Sequence, residues 1–160
     1  MRRRLPLLFV TFAFSVALLG APAGATAPAA KNGCKYLKPA EVNRITGLTF
    51  VKGKTPPAPA SSAVCSYAVA GDPSTEVTLW VQPGSYGAAG FKAAKKAFAA
   101  NTEPVSGLGS KAFYAGDVHT VYVLKGGTLV YVQYLALGNP DAAALKDATV
   151  QLTEVVNGRV

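Results

Sequence analysis

The stretch HTVYVLKGGTLVYVQYL, His119 to Leu135, decides the fold. Two runs rich in β-branched and aromatic residues flank Gly126-Gly127, and a two-residue glycine link is the loop of a tight β-hairpin. Such a turn sets the register. Val121 then faces Val132 and Val123 faces Val130 on one side, while Tyr122 faces Tyr131 and Leu124 faces Leu129 on the other. Both sides are apolar. A sheet wetted on one side alternates apolar with polar residues, so this hairpin belongs to a sheet covered at least partly on both faces.

On its N-terminal side, KAFYA (residues 111–115) reads as another strand and TEPVSGLGS (102–110) as a loop. TEVTLWVQ (75–82) alternates cleanly, with Val77, Leu79 and Val81 on one face and Thr78, Trp80 and Gln82 on the other. A GDPS turn (71–74) separates it from the strand VCSYAVA (64–70). LTFV (48–51) is a short strand, and KGKTPPAPASS (52–62) is a loop, since Pro56 and Pro57 forbid a ladder. Three helices complete the order. The first starts at Pro39, has Glu41 at its positive end, turns Val42 and Ile45 to one side and closes at Gly47. The second follows PGSYGAAG over roughly residues 87–100, with a Phe91, Ala94, Phe98 stripe and Lys92 and Lys96 off it. The third is capped by Asn139, opened by Pro140 and Asp141, lined by Leu145, Ala148, Leu152 and Val155, and ended by Asn157-Gly158. The order α-β-β-β-α-β-β-β-α predicts an α+β domain: a mainly antiparallel sheet of about six strands flanked by helices.

The N-terminus reads as an export signal. MRRR is followed by the apolar run LPLLFVTFAFSVALLG and by APAGATA, which offers small-residue cleavage sites after Ala25 or Ala27. A retained membrane anchor needs roughly 20 apolar residues; this run is shorter and carries Pro6. Residues 1–27 are therefore expected to be removed, leaving residues 28–33 as a flexible arm, residues 34–160 as a single domain, and no stable membrane anchor. The remaining chain has 13 basic and eight acidic residues, a net charge of +5, which favours acidic partners in encounter without specifying one. Cys34 and Cys65 are the only cysteines. With a single histidine they do not make a four-ligand zinc site unaided. An even cysteine count in an exported chain predicts a Cys34–Cys65 disulfide, and no cofactor is expected.

CKYLKPAEVNRITG, the second cysteine in CSY, and VSGLGSKAFY ahead of a hairpin resemble a broad group of exported actinobacterial domains of unknown function. That group is similar to the extracellular sensor domains of mycobacterial receptor kinases and to PsbP-like α/β/α sandwiches. The resemblance covers nearly the whole mature chain. It implies the same disulfide, between the segment before the first helix and an early strand, and brings no catalytic residues. The chain departs from the lipoprotein members, because no cysteine stands at the signal boundary.

For function, the residues offer an aromatic and polar face. Trp80, Tyr122 and Tyr131 project together with Thr78, Gln82, Thr120 and Gln133 if their strands are neighbours with faces matched. Such a face suits an amphipathic ligand or glycan; it also suits plain sheet surface under a helix. The basic cluster Lys92, Lys95 and Lys96 fits anionic envelope polymers or a solvated helix face. The loop Lys52 to Ser62 is a connector or a recognition segment. A hydrolase would rest on His119 with Asp117 and a serine such as Ser106 or Ser110, but no nucleophile elbow is present. SGLGSK has the wrong order for a phosphate loop, and nucleic-acid recognition has no motif. The expectation is a secreted, non-enzymatic binding or sensor-like domain for an envelope or extracellular ligand or partner. The alternatives are a small secreted hydrolase using His119 and a structural module that binds an envelope protein.

Overall fold

The computed structural model describes residues 31–109, 111–136 and 141–160. The expected signal segment, the start of the arm, Ser110, Asn139 and Pro140 lie outside the described residues. The elements in chain order are β1 (Lys31–Asn32), α1 (Pro39–Thr46), β2 (Ala63–Val69), β3 (Asp72–Gln82), α2 (Ser85–Ala97), β4 (Thr102–Pro104), β5 (Lys111–Ala115), β6 (Thr120–Lys125), β7 (Thr128–Ala136) and α3 (Ala142–Asn157). The strands form one sheet in the order β1-β2-β3-β7-β6-β5-β4. Every neighbouring pair is antiparallel except β1 with β2. The fold is α+β, with seven strands and three α-helices among the described residues.

The hairpin has the expected register, pairing Val121 with Val132, Tyr122 with Tyr131, Val123 with Val130 and Leu124 with Leu129. Gly126 and Gly127 have φ of 55° and 80°, the positive values that a tight hairpin turn requires at both central positions. In α1, the Glu41 carboxylate accepts from the Lys38 backbone N–H at 2.8 Å, and Gly47 ends the helix at φ 73°. Cys34 and Cys65 are joined, with Cα atoms 4.9 Å apart. The bond ties the segment after β1 to β2 and so holds α1 over the sheet.

Several local expectations change. LTFV is not a strand. Phe50 makes one isolated bridge to Val69 and Lys54 another to Ser66, because the outer edge of β2 is already taken at its other end by β1. Lys31 and Asn32, expected in the arm, supply that edge. The expected GDPS turn shrinks to Ala70-Gly71, with Asp72 opening β3. Its carboxylate accepts from the Ser74 N–H at 2.9 Å and the Thr75 hydroxyl at 2.7 Å. The expected loop TEPVSGLGS begins as β4, which pairs with the free edge of β5 and stops at Pro104; proline is tolerated at a strand end on a sheet edge. α2 begins and ends earlier than its apolar stripe implies, and a 3₁₀ turn over Ala99–Asn101 follows it. α3 is capped by Asp141, whose carboxylate accepts from the Ala143 N–H at 2.9 Å. Its buried side also takes in Thr149, Thr153 and Val156, while Val155 is only partly buried. Both threonine hydroxyls are satisfied by carbonyls one turn back, at 2.7 Å.

The strand order places the helices. β3 lies inside the sheet, next to β7, and β4 lies at the far edge, so the connection between them must cross β7, β6 and β5 on one face. α2 makes that crossing. Phe91 packs with Phe113, Ala115 and Leu129 on that face. On the opposite face Val42 of α1 and Leu145, Leu152 and Val156 of α3 join Leu79, Val121, Val123, Val130 and Val132 in the main core.

Candidate functional site

Pairing of β3 with β7 and of β7 with β6 brings the predicted aromatic residues into one row. Trp80 is opposite Tyr131, Tyr131 opposite Tyr122, and Tyr122 opposite Phe113. The Trp80 and Tyr131 rings stack with centroids 5.7 Å apart and planes 11° from parallel. Tyr131 lies 5.3 Å from Tyr122, and Tyr122 lies 5.0 Å from Phe113. Phe98, just after α2, stacks on Tyr122 at 6.0 Å, and Phe91 meets Phe113 edge-on at 5.2 Å.

This row has a closed end and an open end. Phe113 is buried, and Tyr122 has three aromatic neighbours beneath or beside α2. Trp80 is outside the cluster that α2 covers, and it stays partly exposed. Burial, and secondarily Tyr122, pushes the Tyr131 phenol well above its ordinary pKa. Burial does the same to Tyr122. Both rings are therefore neutral stacking surfaces, not bases.

The polar residues of the same face are held in place. Thr78 donates to Glu76 at 2.9 Å, and Ser66 also donates to that carboxylate. The Thr120 hydroxyl and the Gln133 amide both donate to the Val118 carbonyl, at 2.8 and 3.0 Å. Thr120 is fully buried, so it supports the surface and is not part of it. Gln82 reaches a cleft of about 720 Å³. One wall of that cleft is the loop end Pro59 to Ser62, and the other is α2 through Ala89, Gly90 and Ala93. Strand alternation places Trp80 on the same face as Gln82, one pleat further along β3. The small residues on this flank of α2 keep the cleft open. Tyr86 also lines it and is 71% exposed. Neither Tyr86 nor the cleft was expected from the sequence; the only local signal is a large aromatic residue among glycines and alanines.

The other sequence candidates fall elsewhere. His119 occupies the corner immediately before β6 with φ 46°, the only positive value at a non-glycine residue among those described. Its Nδ1 is 3.0 Å from the Tyr114 hydroxyl, whereas the Asp117 carboxylate accepts from Asn101. Ser106 is exposed in a loop, and Ser110 is outside the described residues. These bonds do not assemble a triad. Among the described residues no three His, Cys, Asp or Glu side chains come together as a metal site. Lys92, Lys95 and Lys96 line a second cleft, on the other flank of α2.

Comparison of the chain with protein-family models, with curated proteins and with solved structures finds no match.

Proposed function

We propose that this chain is an exported, non-enzymatic binding domain whose ligand docks across Trp80 and Tyr131 and into the cleft beside Tyr86. One observation carries the reading: a near-parallel Trp80–Tyr131 stack, partly exposed, that leaves the cluster under α2 at Tyr131 and runs out beyond it at Trp80. A flat aromatic surface with fixed amide and hydroxyl groups around it suits a glycan or another amphipathic molecule of the envelope or medium. The rings take its apolar side and the polar edges take its hydroxyls. Tyr122, packed under Phe98, sets the position of Tyr131 and does not itself stack on the ligand. Export rests on the N-terminal segment and on the disulfide, since such bonds persist in oxidising compartments. The resemblance to exported sensor-like domains agrees with this reading in kind.

The chain has one tryptophan, so its emission reports directly on the site. Native mass spectrometry after exposure to envelope extract should give a reproducible adduct, and titration with that compound should shift the Trp80 emission. Trp80→Ala should weaken binding about tenfold while leaving circular dichroism native. Binding that survives both Trp80→Ala and Tyr131→Ala unchanged removes the assignment.

A further inference from the structure

We infer that the opposite flank of α2 carries a second site, for an anionic amphiphile with one apolar chain and a carboxylate or phosphate head. It does not rest on the Trp80 site, from which α2 separates it. A cleft of about 660 Å³ lies between α2 and the β5–β6 ribbon, within the roughly 300–1,000 Å³ range of small-molecule sites. Phe91 and Leu124 give it an apolar floor, and Lys92, Lys95, Lys96 and Lys111 surround it. Residues 91, 92, 95 and 96 recur at helical spacing, so one flank of α2 carries both the ring and three of the ammonium groups. The fourth comes from β5, where Lys111 pairs with Leu124 in register.

All four lysines are exposed. The ion pairs among the described residues, Lys146 with Glu103 and Arg159 with Glu41, use none of them. Lys92 stands three and four residues from Lys95 and Lys96, spacings at which like charges repel on a helix. An anion at the mouth relieves that repulsion through charge-assisted hydrogen bonds. A polyanion with no apolar part leaves the lysine stems and the exposed part of Leu124 in water, and a neutral apolar molecule leaves four positive charges uncompensated. A single molecule with an anionic head and an apolar chain satisfies both. The lysine stems lengthen the apolar walls while their heads gather at the opening.

The test is calorimetric titration of the purified protein with palmitate and with lysophosphatidate, each below its micelle concentration. Zwitterionic lysophosphatidylcholine, inorganic phosphate and phosphatidylglycerol vesicles are titrated in parallel. Saturable binding of at least one anionic monomer is expected, and comparison of the two shows whether the head is carboxylate or phosphate. Lysophosphatidylcholine should bind about tenfold more weakly, and so should the K92E/K96E double variant toward the anionic monomers. Ala88→Trp, which fills the cleft from an exposed position and leaves the charge intact, should also weaken binding, whereas Trp80→Ala should not. Phosphate binding as tightly as lysophosphatidate would reduce the site to an anion patch. Equal binding of lysophosphatidylcholine would remove the role of charge. Binding to vesicles but not to monomers would make this a membrane surface. Indifference to Ala88→Trp would place the ligand elsewhere. Any of these overturns the inference.

Discussion

On one face of the sheet Val77, Leu79, Val121, Val123, Val130 and Val132 are completely buried; on the other, Trp80, Tyr122 and Tyr131 remain partly exposed. The strands are the same, so the difference lies in what covers them. The aliphatic face receives α1 and α3 together, and they contact each other as well as the sheet. Among the described residues the aromatic face receives one helix, α2, which runs from the sheet interior toward one edge. Branched aliphatic residues under two helices make a dry interior. Aromatic and polar residues beside one helix leave clefts on both of its flanks. Under the proposed function, stability and recognition are divided between the two sides of one sheet.

The largest effect should come from the edge of the aliphatic face, where Cys65 is fully buried. Replacing both cysteines with serine should cost about 3.5 kcal/mol in the chain-entropy account of a loop of this size, measured by denaturant unfolding. Intact mass should show the native protein two hydrogens below its reduced form; two free thiols would break the bond assignment. The comparison is sharpest at adjacent residues. Leu79→Ala should cost about 3 kcal/mol, because it opens a cavity in the main core, where Leu79 is fully buried. Trp80→Ala, one residue along and on the other face, should cost only about 1 kcal/mol from lost stacking, yet weaken ligand binding about tenfold in calorimetric titration. The reverse ranking would sink the division of labour. Between them falls Gly87→Ala, at about 2 kcal/mol from overpacking. A methyl group there collides with the Gly127 carbonyl oxygen at the hairpin turn, so hydrogen exchange should speed up in α2 and leave α3 protected.

The smallest effect is a pH dependence that belongs to the aliphatic side. Its two cover helices are linked by Glu41 of α1 and Arg159 just beyond α3. The hydrogen bond from Arg159 holds the Glu41 carboxyl down at about 2, against an ordinary 4.5. The unfolded chain therefore takes up the proton first as the pH falls. The contribution of Glu41 is complete above about 4.5 and is lost on the way down to about 2. Glu41→Gln should flatten the stability profile over that window; an unchanged profile would show that the pair does not couple the helices.

Among these features, those made by neighbouring residues were legible in the chain. The hairpin register follows from two glycines and the alternation of the flanking runs, because a tight turn leaves the strands little choice of pairing. The ends of α1 follow from Pro39, Glu41 and Gly47, and the cysteine pair from its even count in a chain read as exported. The grouping of Trp80 with Tyr131 was conditional on β3 lying beside β7, and nothing local states that. The short edge strands β1 and β4 were invisible for the same kind of reason. Two or three residues carry no periodicity, and they become strands only because a neighbouring edge is free. Tertiary structure alone decided that α2 crosses one half of the aromatic face, that Tyr86 is left at the mouth of a cleft, and that Lys111 joins the three lysines of α2. Each of these brings together residues distant in sequence, and such contacts depend on strand order, which side-chain pattern does not encode.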